Sequence, residues 1–275
     1  MAVKPEVRTV IYDAELTVEA YRFQGIMQKF PNHFHDYYVI GFIENGRRYL
    51  SCKNKEYTIE PGDLLLFNPR DNHTCEQIDG RPLDYRCINV QPEVMRKAAL
   101  EITGREYLPY FTQPVVFHSE LVASLRELHA MILAKEPDFR KEERFFWLLG
   151  QLMAEYTDQT TVSGLDGSSP ETERICEYLE NNYTKNITLN ELSTVAGVSK
   201  YYLLRSFTKQ KGISPYSYLA TLRVTRAKQL LEQGVAPLEA GLQTGFADQS
   251  HFTHFFKKLI GLTPRQYKKI FEEPR

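Results

Sequence analysis

No CxxC pair occurs in this chain, and its four cysteines, Cys52, Cys75, Cys87 and Cys176, lie far apart in 275 residues. That spacing argues against a zinc ribbon, and a disulfide framework is not expected in a reducing compartment. Long apolar runs are missing too. The longest stretches, such as 37–43, are about seven residues, against the roughly 20 that a membrane span needs. No apolar signal segment follows Met1-Ala2-Val3-Lys4, so a cytoplasmic location without membrane partners is expected. There is no Gly-rich phosphate loop, no dinucleotide fingerprint and no GxSxG nucleophile motif. Nothing therefore points to catalysis, and no catalytic residue or cofactor is expected. What is present is an ordinary globular mixture, 42% hydrophobic and 25% charged, long enough for one large or two ordinary domains.

The net charge of −1 conceals an asymmetry. Residues 170–275 sum to +5 and residues 1–169 to −6. Within the basic part, residues 192–231 hold seven Lys or Arg and no acid, and residues 249–271 hold five and again no acid. Two acid-free windows in one small region point to a polyanionic partner.

The small polar segment 157–170, with Gly, Ser and Pro, reads as a linker between a domain at 1–156 and one at 171–275. Before it, short β-branched and aromatic runs are separated by turns. Tyr37 to Ile43 is followed by an Asn45-Gly46 turn into Arg48 to Cys52. Tyr57 to Ile59, a Pro61-Gly62 break and Leu64 to Phe67 come next. Such punctuation predicts a small antiparallel barrel or jelly roll. The period then changes. Leu121, Leu125, Leu128 and Ile132 form one helical stripe, and Phe146, Leu149, Leu152, Met153 and Tyr156 another. These helices either cover the barrel or meet a second subunit. The fold class is thus α+β with two domains, the second all-α.

The second domain contains an internal repeat. At an offset of 49, Phe207 pairs with Phe256, Lys209 with Lys258, Gly212 with Gly261, Pro215 with Pro264 and Tyr218 with Tyr267. Ser199 and Asp248 are equivalent N-caps, and Thr188 with Glu191 has capping-box spacing. Each copy reads as a short helix, a Gly turn, a helix with a Gly stop, and a helix opened by proline. That is the helix-turn-helix layout, twice. In this motif the second helix enters the major groove, and its exposed N-terminal residues meet base edges and phosphates. The first such helix offers Ser199, Lys200, Tyr201, Leu204, Arg205 and Lys209. The second offers Gln249, Ser250, Thr253, His254 and Lys257. A connecting helix near 215–233 is about 28 Å long at 1.5 Å per residue, close to the ~34 Å of one DNA turn.

Residues 170–275 resemble the DNA-binding domain of the AraC/XylS transcription regulators. The match runs through Ala196-Gly-Val-Ser199, Leu203, Arg205-Ser-Phe207, Arg223, Ala227 and Leu230-Leu231. It is densest from Gly245 to Lys257 and at Gly261-Leu-Thr-Pro264. The resemblance implies two helix-turn-helix subdomains joined by a long helix and acting at bacterial promoters. It departs from the family at His254, where Arg is commoner, and at Leu204, where polar residues are common.

His33-Phe-His35, Gly46, Pro61-Gly62-Asp63, Pro69 and His73 are similar to the two cupin motifs. Residues two apart on a strand share a face, so His33 and His35 both point inward. This resemblance implies an effector pocket at His33, His35, Tyr37 and His73. The alternative is a metal held by His33, His35 and His73, in a metal-dependent cupin enzyme fused to a DNA-binding domain. Val39 stands where such enzymes place a Glu ligand. The expected protein is an effector-responsive transcription regulator. Its expected partners are promoter DNA, a small molecule, a second copy of the chain and RNA polymerase.

Overall fold

The computed structural model describes residues 6–135, 139–157 and 169–272. Most of the expected linker, 158–168, lies outside them. The chain divides into two compact units. One is Met1–Lys29, His35–Asp71 and Cys75–Gly164, and the other is Phe30–Phe34, Asn72–Thr74 and Leu165–Arg275. No described helix is long and apolar enough to cross a membrane.

The β region comprises β1 (Val7–Asp13), β2 (Val18–Ile26), β3 (Phe30–His33), β4 (Tyr38–Asn45), β5 (Arg48–Cys52), β6 (Lys55–Ile59), β7 (Leu64–Phe67), β8 (His73–Gln77), β9 (Leu83–Val90) and β10 (Val115–Val116). They form two sheets rather than one closed barrel, in the orders β1-β2-β9-β4-β7-β10 and β3-β8-β5-β6. The β4–β5 connection is the expected Asn45-Gly46 turn. Gly46 has φ +87°, and an added Cβ would come within 2.4 Å of the Pro82 carbonyl oxygen, so only glycine fits there.

Three helices follow or interrupt the strands: α1 (Pro92–Thr103), α2 (Leu121–Leu133) and α3 (Phe139–Tyr156). The sequence periodicity anticipated α2 and α3 but not α1. Alternate residues of the large sheet, Val18 and Ala20 on β2, Tyr38, Ile40 and Phe42 on β4, and Ile88 and Val90 on β9, join these helices in one core. Leu125, Leu128, Ile132 and Leu149 are each 0% exposed. The two stripes are therefore largely spent within one protomer, only Phe146 and Tyr156 staying half-buried, and do not supply the broad subunit face that the sequence left open.

The remaining helices are α4 (Pro170–Asn182), α5 (Leu189–Ala196), α6 (Lys200–Lys211), α7 (Pro215–Glu232), α8 (Pro237–Gln243), α9 (Gln249–Ile260) and α10 (Pro264–Glu272). Their ends are fixed by local chemistry. Thr188 and Glu191 make the reciprocal capping box of α5. Ser199 accepts from the Tyr202 N–H at the start of α6, and Asp248 from the His251 N–H at the start of α9. Gly212 and Gly261 close α6 and α9 in the left-handed conformation, which glycine adopts without the Cβ penalty.

Candidate nucleic-acid interface and effector pocket

In α6, Leu203 and Phe207 are buried, at 1% and 0% exposure. Burying that stripe turns Lys200, Leu204, Arg205 and Lys209 to solvent. The side chain of Tyr201 lies outside the described residues. Tyr202 is 56% exposed, and the sequence reading passed over it. It stands 100° from Leu203, the same angle as Leu204 on the other side, so helical arithmetic alone would have found it.

In α9, Phe252 and Phe256 are buried. Gln249, Ser250, His254 and Lys257 are exposed, while Thr253 and Phe255 are half-buried. His251, between Ser250 and Phe252, is absorbed by packing. Its ring meets Phe255 edge-on at 4.9 Å, and its Nε2 lies 3.3 Å from the Tyr216 hydroxyl.

The acid-free windows are not uniformly available to a ligand. Arg223 donates to the Tyr183 carbonyl at 2.7 Å and to the Lys185 carbonyl at 2.8 Å, tying α7 to the end of α4. Lys228 is 2% exposed and sits over the Tyr267 ring at 5.4 Å. Those two cations hold the fold. Lys200, Arg205, Lys209, Lys257, Lys258 and Arg265 remain exposed.

In the β region, the rings of His33 and His73 stand 4.5 Å apart, and His35 stacks on Tyr37 at 4.7 Å. Nitrogen atoms of His33, His35 and His73 all lie within 4.8 Å of one another. The Nδ1 of His33 is 2.7 Å from the Pro31 carbonyl oxygen. Burial pulls the His33 pKa down to about 4, against the opposing effect of its backbone hydrogen bonds. The ring is therefore neutral at physiological pH, the form that ligates a metal or hydrogen-bonds a neutral effector. Three imidazoles at this spacing are the donor set of an open zinc-type or iron-type site. No carboxylate belongs to the group among the described residues, in keeping with Val39 at the Glu position. Asp36, next to His35, is instead paired with Arg70 at 2.5 Å.

Cys75, close to His73 in sequence, has its thiol pushed up to about 12 by burial, and so does Cys52. Neither is a thiolate nucleophile. His118 lies on the surface, 3.9 Å from Glu60.

The model of the AraC-like ligand binding domain matches residues 15–149, and that of a helix-turn-helix domain matches residues 192–270. The chain is 62% identical to the uncharacterized HTH-type transcriptional regulator YbfI of Bacillus subtilis, over 98% of both chains. The chain belongs to the AraC/XylS family of transcription regulators. Within that family it is 23% identical to the HTH-type transcriptional activator RhaS of Escherichia coli, over 87% of this chain and 88% of that one. A crystal structure of ToxT from Vibrio cholerae has the same two-part fold, with a TM-score of 0.53, 16% identity and 97% of each chain covered. This AraC/XylS regulator thus has a ligand-binding domain and a helix-turn-helix DNA-binding domain.

Proposed function

We propose that the regulator reads promoter DNA with both α6 and α9, under the control of a small molecule bound at His33, His35, Tyr37 and His73. The observation that carries this reading is the repeated capped helix. Ser199 and Asp248 each cap a helix whose exposed first turn holds no acid and bears hydrogen-bonding side chains. The DNA-contacting set is Ser199, Lys200, Tyr201, Leu204, Arg205 and Lys209 from the first copy, and Gln249, Ser250, Thr253, His254 and Lys257 from the second. The 18 residues of α7 span about 27 Å, which suits adjacent major-groove segments about one turn apart.

The linker at 157–170, a cytoplasmic location, the absence of catalysis and contact with RNA polymerase complete this reading. A second copy of the chain is the remaining partner. With the apolar stripes largely buried, the surface proposed for it is the outer side of α2 and α3. There Trp147, 45% exposed, borders a groove of about 240 Å³ with Met131, Arg140 and Arg144. Genome-wide mapping of bound DNA tests the whole reading. Enrichment at a small set of promoters supports it, and uniform coverage opposes it.

A second reading rests on the spacing of the three imidazoles: a metal-dependent cupin enzyme fused to a DNA-binding domain. Stoichiometric zinc or iron together with turnover would favour it. Metal-free protein that still binds its promoter would favour the effector pocket.

A further inference from the structure

A cluster of charge beneath α2 is used by none of the functions above. Arg22 of β2 stands directly opposite Arg86 of β9, and Arg86 opposite Phe42 of β4. Like charges directly opposite each other destabilise a ladder, so this pair calls for compensation. Glu44 supplies part of it. It takes a two-pronged contact from Arg126, with Nε and Nη2 each at 3.1 Å, and pairs with the Arg86 Nε at 3.2 Å. That one carboxylate is engaged by two guanidiniums. The Arg22 side chain makes no hydrogen bond or ion pair among the described residues, and its Nε is buried without a partner.

His129 of α2 closes the cluster. Its side chain is 0% exposed, and its Nε2 lies 2.9 Å from the carbonyl oxygen of Tyr21, the residue before Arg22. A carbonyl only accepts, so Nε2 carries the hydrogen and Nδ1 is a bare acceptor. That Nδ1 is also buried without a partner. Burial first, and then the charges of Arg86 and Arg22, lower the His129 pKa to about 4, so the ring adds no positive charge near neutrality. Three arginines and one glutamate leave the cluster with two positive charges in excess. It also holds one sealed donor, Arg22 Nε–H, and one sealed acceptor, His129 Nδ1. An unfilled buried donor or acceptor is costly, and a guanidinium is the group best shaped to hold a carboxylate.

We infer that Arg22, Arg86 and His129 form a binding site for a small carboxylate ligand that carries a hydroxyl group. The carboxylate lies against the guanidiniums. The hydroxyl accepts from Arg22 Nε–H and donates to His129 Nδ1, so the sealed donor and acceptor satisfy one another through it. The site lies under α2, on the face of the large sheet that carries Phe42, and owes nothing to the imidazole triad.

The test is thermal unfolding and calorimetric titration of the full chain with glycolate, acetate, phosphate and chloride, for the parent and for Arg22→Gln, Arg22→Lys and Arg205→Ala. Glycolate should raise the parent's Tm saturably and acetate more weakly, with chloride giving only a shallow ionic-strength effect. Arg22→Gln should weaken apparent glycolate affinity at least about tenfold, the size of one charge-assisted contact. Its own Tm without ligand should equal or exceed the parent's, because a like-charge opposition has been removed. Arg22→Lys keeps the charge without the fork and guards against misfolding of the first variant; it too should bind glycolate more weakly. Arg205→Ala should respond as the parent does, separating this site from the basic recognition helices. No saturable response to glycolate, or an undiminished one in both Arg22 variants, would overturn the inference. Acetate binding as tightly as glycolate would overturn the hydroxyl bridge.

Discussion

The rings of Phe207 and Tyr218 stand 5.6 Å apart, edge to face. Forty-nine residues on, Phe256 and Tyr267 repeat that separation at 5.6 Å. Each tyrosine ends on a glutamate: Tyr218 donates to Glu180 at 2.9 Å and Tyr267 to Glu232 at 2.7 Å. The repeat seen in the sequence is thus a repeat of packing, with one aromatic pair and one hydroxyl anchor per subdomain. Replacing Tyr267, which is fully buried, by Phe removes only the hydrogen bond. Chemical denaturation should show a loss of about 1 kcal/mol, with the same fold by circular dichroism.

Salt dependence should separate DNA-binding cations from structural ones. Log affinity for operator DNA should fall linearly with log salt, by about 0.9 for each phosphate neutralised. Lys209→Ala should reduce that slope by about one. Substituting Lys228, which is buried against Tyr267, should instead lower stability. Fluorescence anisotropy at several salt concentrations, with a melting curve for each variant, checks both halves.

How much was legible in the sequence depended on whether the signal was local. Caps, glycine stops and the helical stripes depend on neighbours within about four residues, and Ser199, Asp248, Gly212, Gly261 and Leu125 could all be read directly. The α1 helix was missed although Met95, Ala98, Ala99 and Ile102 fall at helical spacing and pack into the core, because it opens on Pro92 straight after a strand and two of these four residues are small alanines. The fate of the stripes could not be read, because covering a sheet and facing a partner demand the same pattern. Nor could the roles of Arg223 and Lys228, whose partners Tyr183 and Tyr267 lie about 40 residues away. The Arg22–Arg86 opposition depends on strand register, which no local pattern fixes. His33, His35 and His73 were nameable from spacing and resemblance, and the structure brings their nitrogens together.

Acid should destabilise the β domain through His129. Its folded pKa of about 4 lies below the unfolded value near 6.5, so between those values the unfolded chain binds the additional proton. Stability is therefore full above about pH 6.5 and declines as pH falls toward 4, by on the order of 3 kcal/mol from this group. Urea unfolding from pH 7.5 to 4.5 should show that decline together with a similar one from His33, also held near 4 by burial, and His129→Gln should remove about half of the total.

Self-association, if it uses the outer side of α3, should depend on Trp147. Multi-angle light scattering at micromolar concentration should give a dimer for the parent and a shift toward monomer for Trp147→Glu. A parent that remains monomeric with and without DNA would remove the second copy from the account.

Binding-site selection with the full chain tests the central claim, that α6 and α9 both read bases. Arg205 offers the bidentate fork suited to guanine, worth about 1–3 kcal/mol of discrimination, and His254 does not. The parent should enrich two short base clusters about 10 base pairs apart. Arg205→Ala should lose the preference at one base pair of one cluster, and His254→Ala should leave both largely intact. The account would be contradicted by a single enriched cluster, or by an Arg205→Ala variant that loses only uniform affinity while His254→Ala loses a defined base.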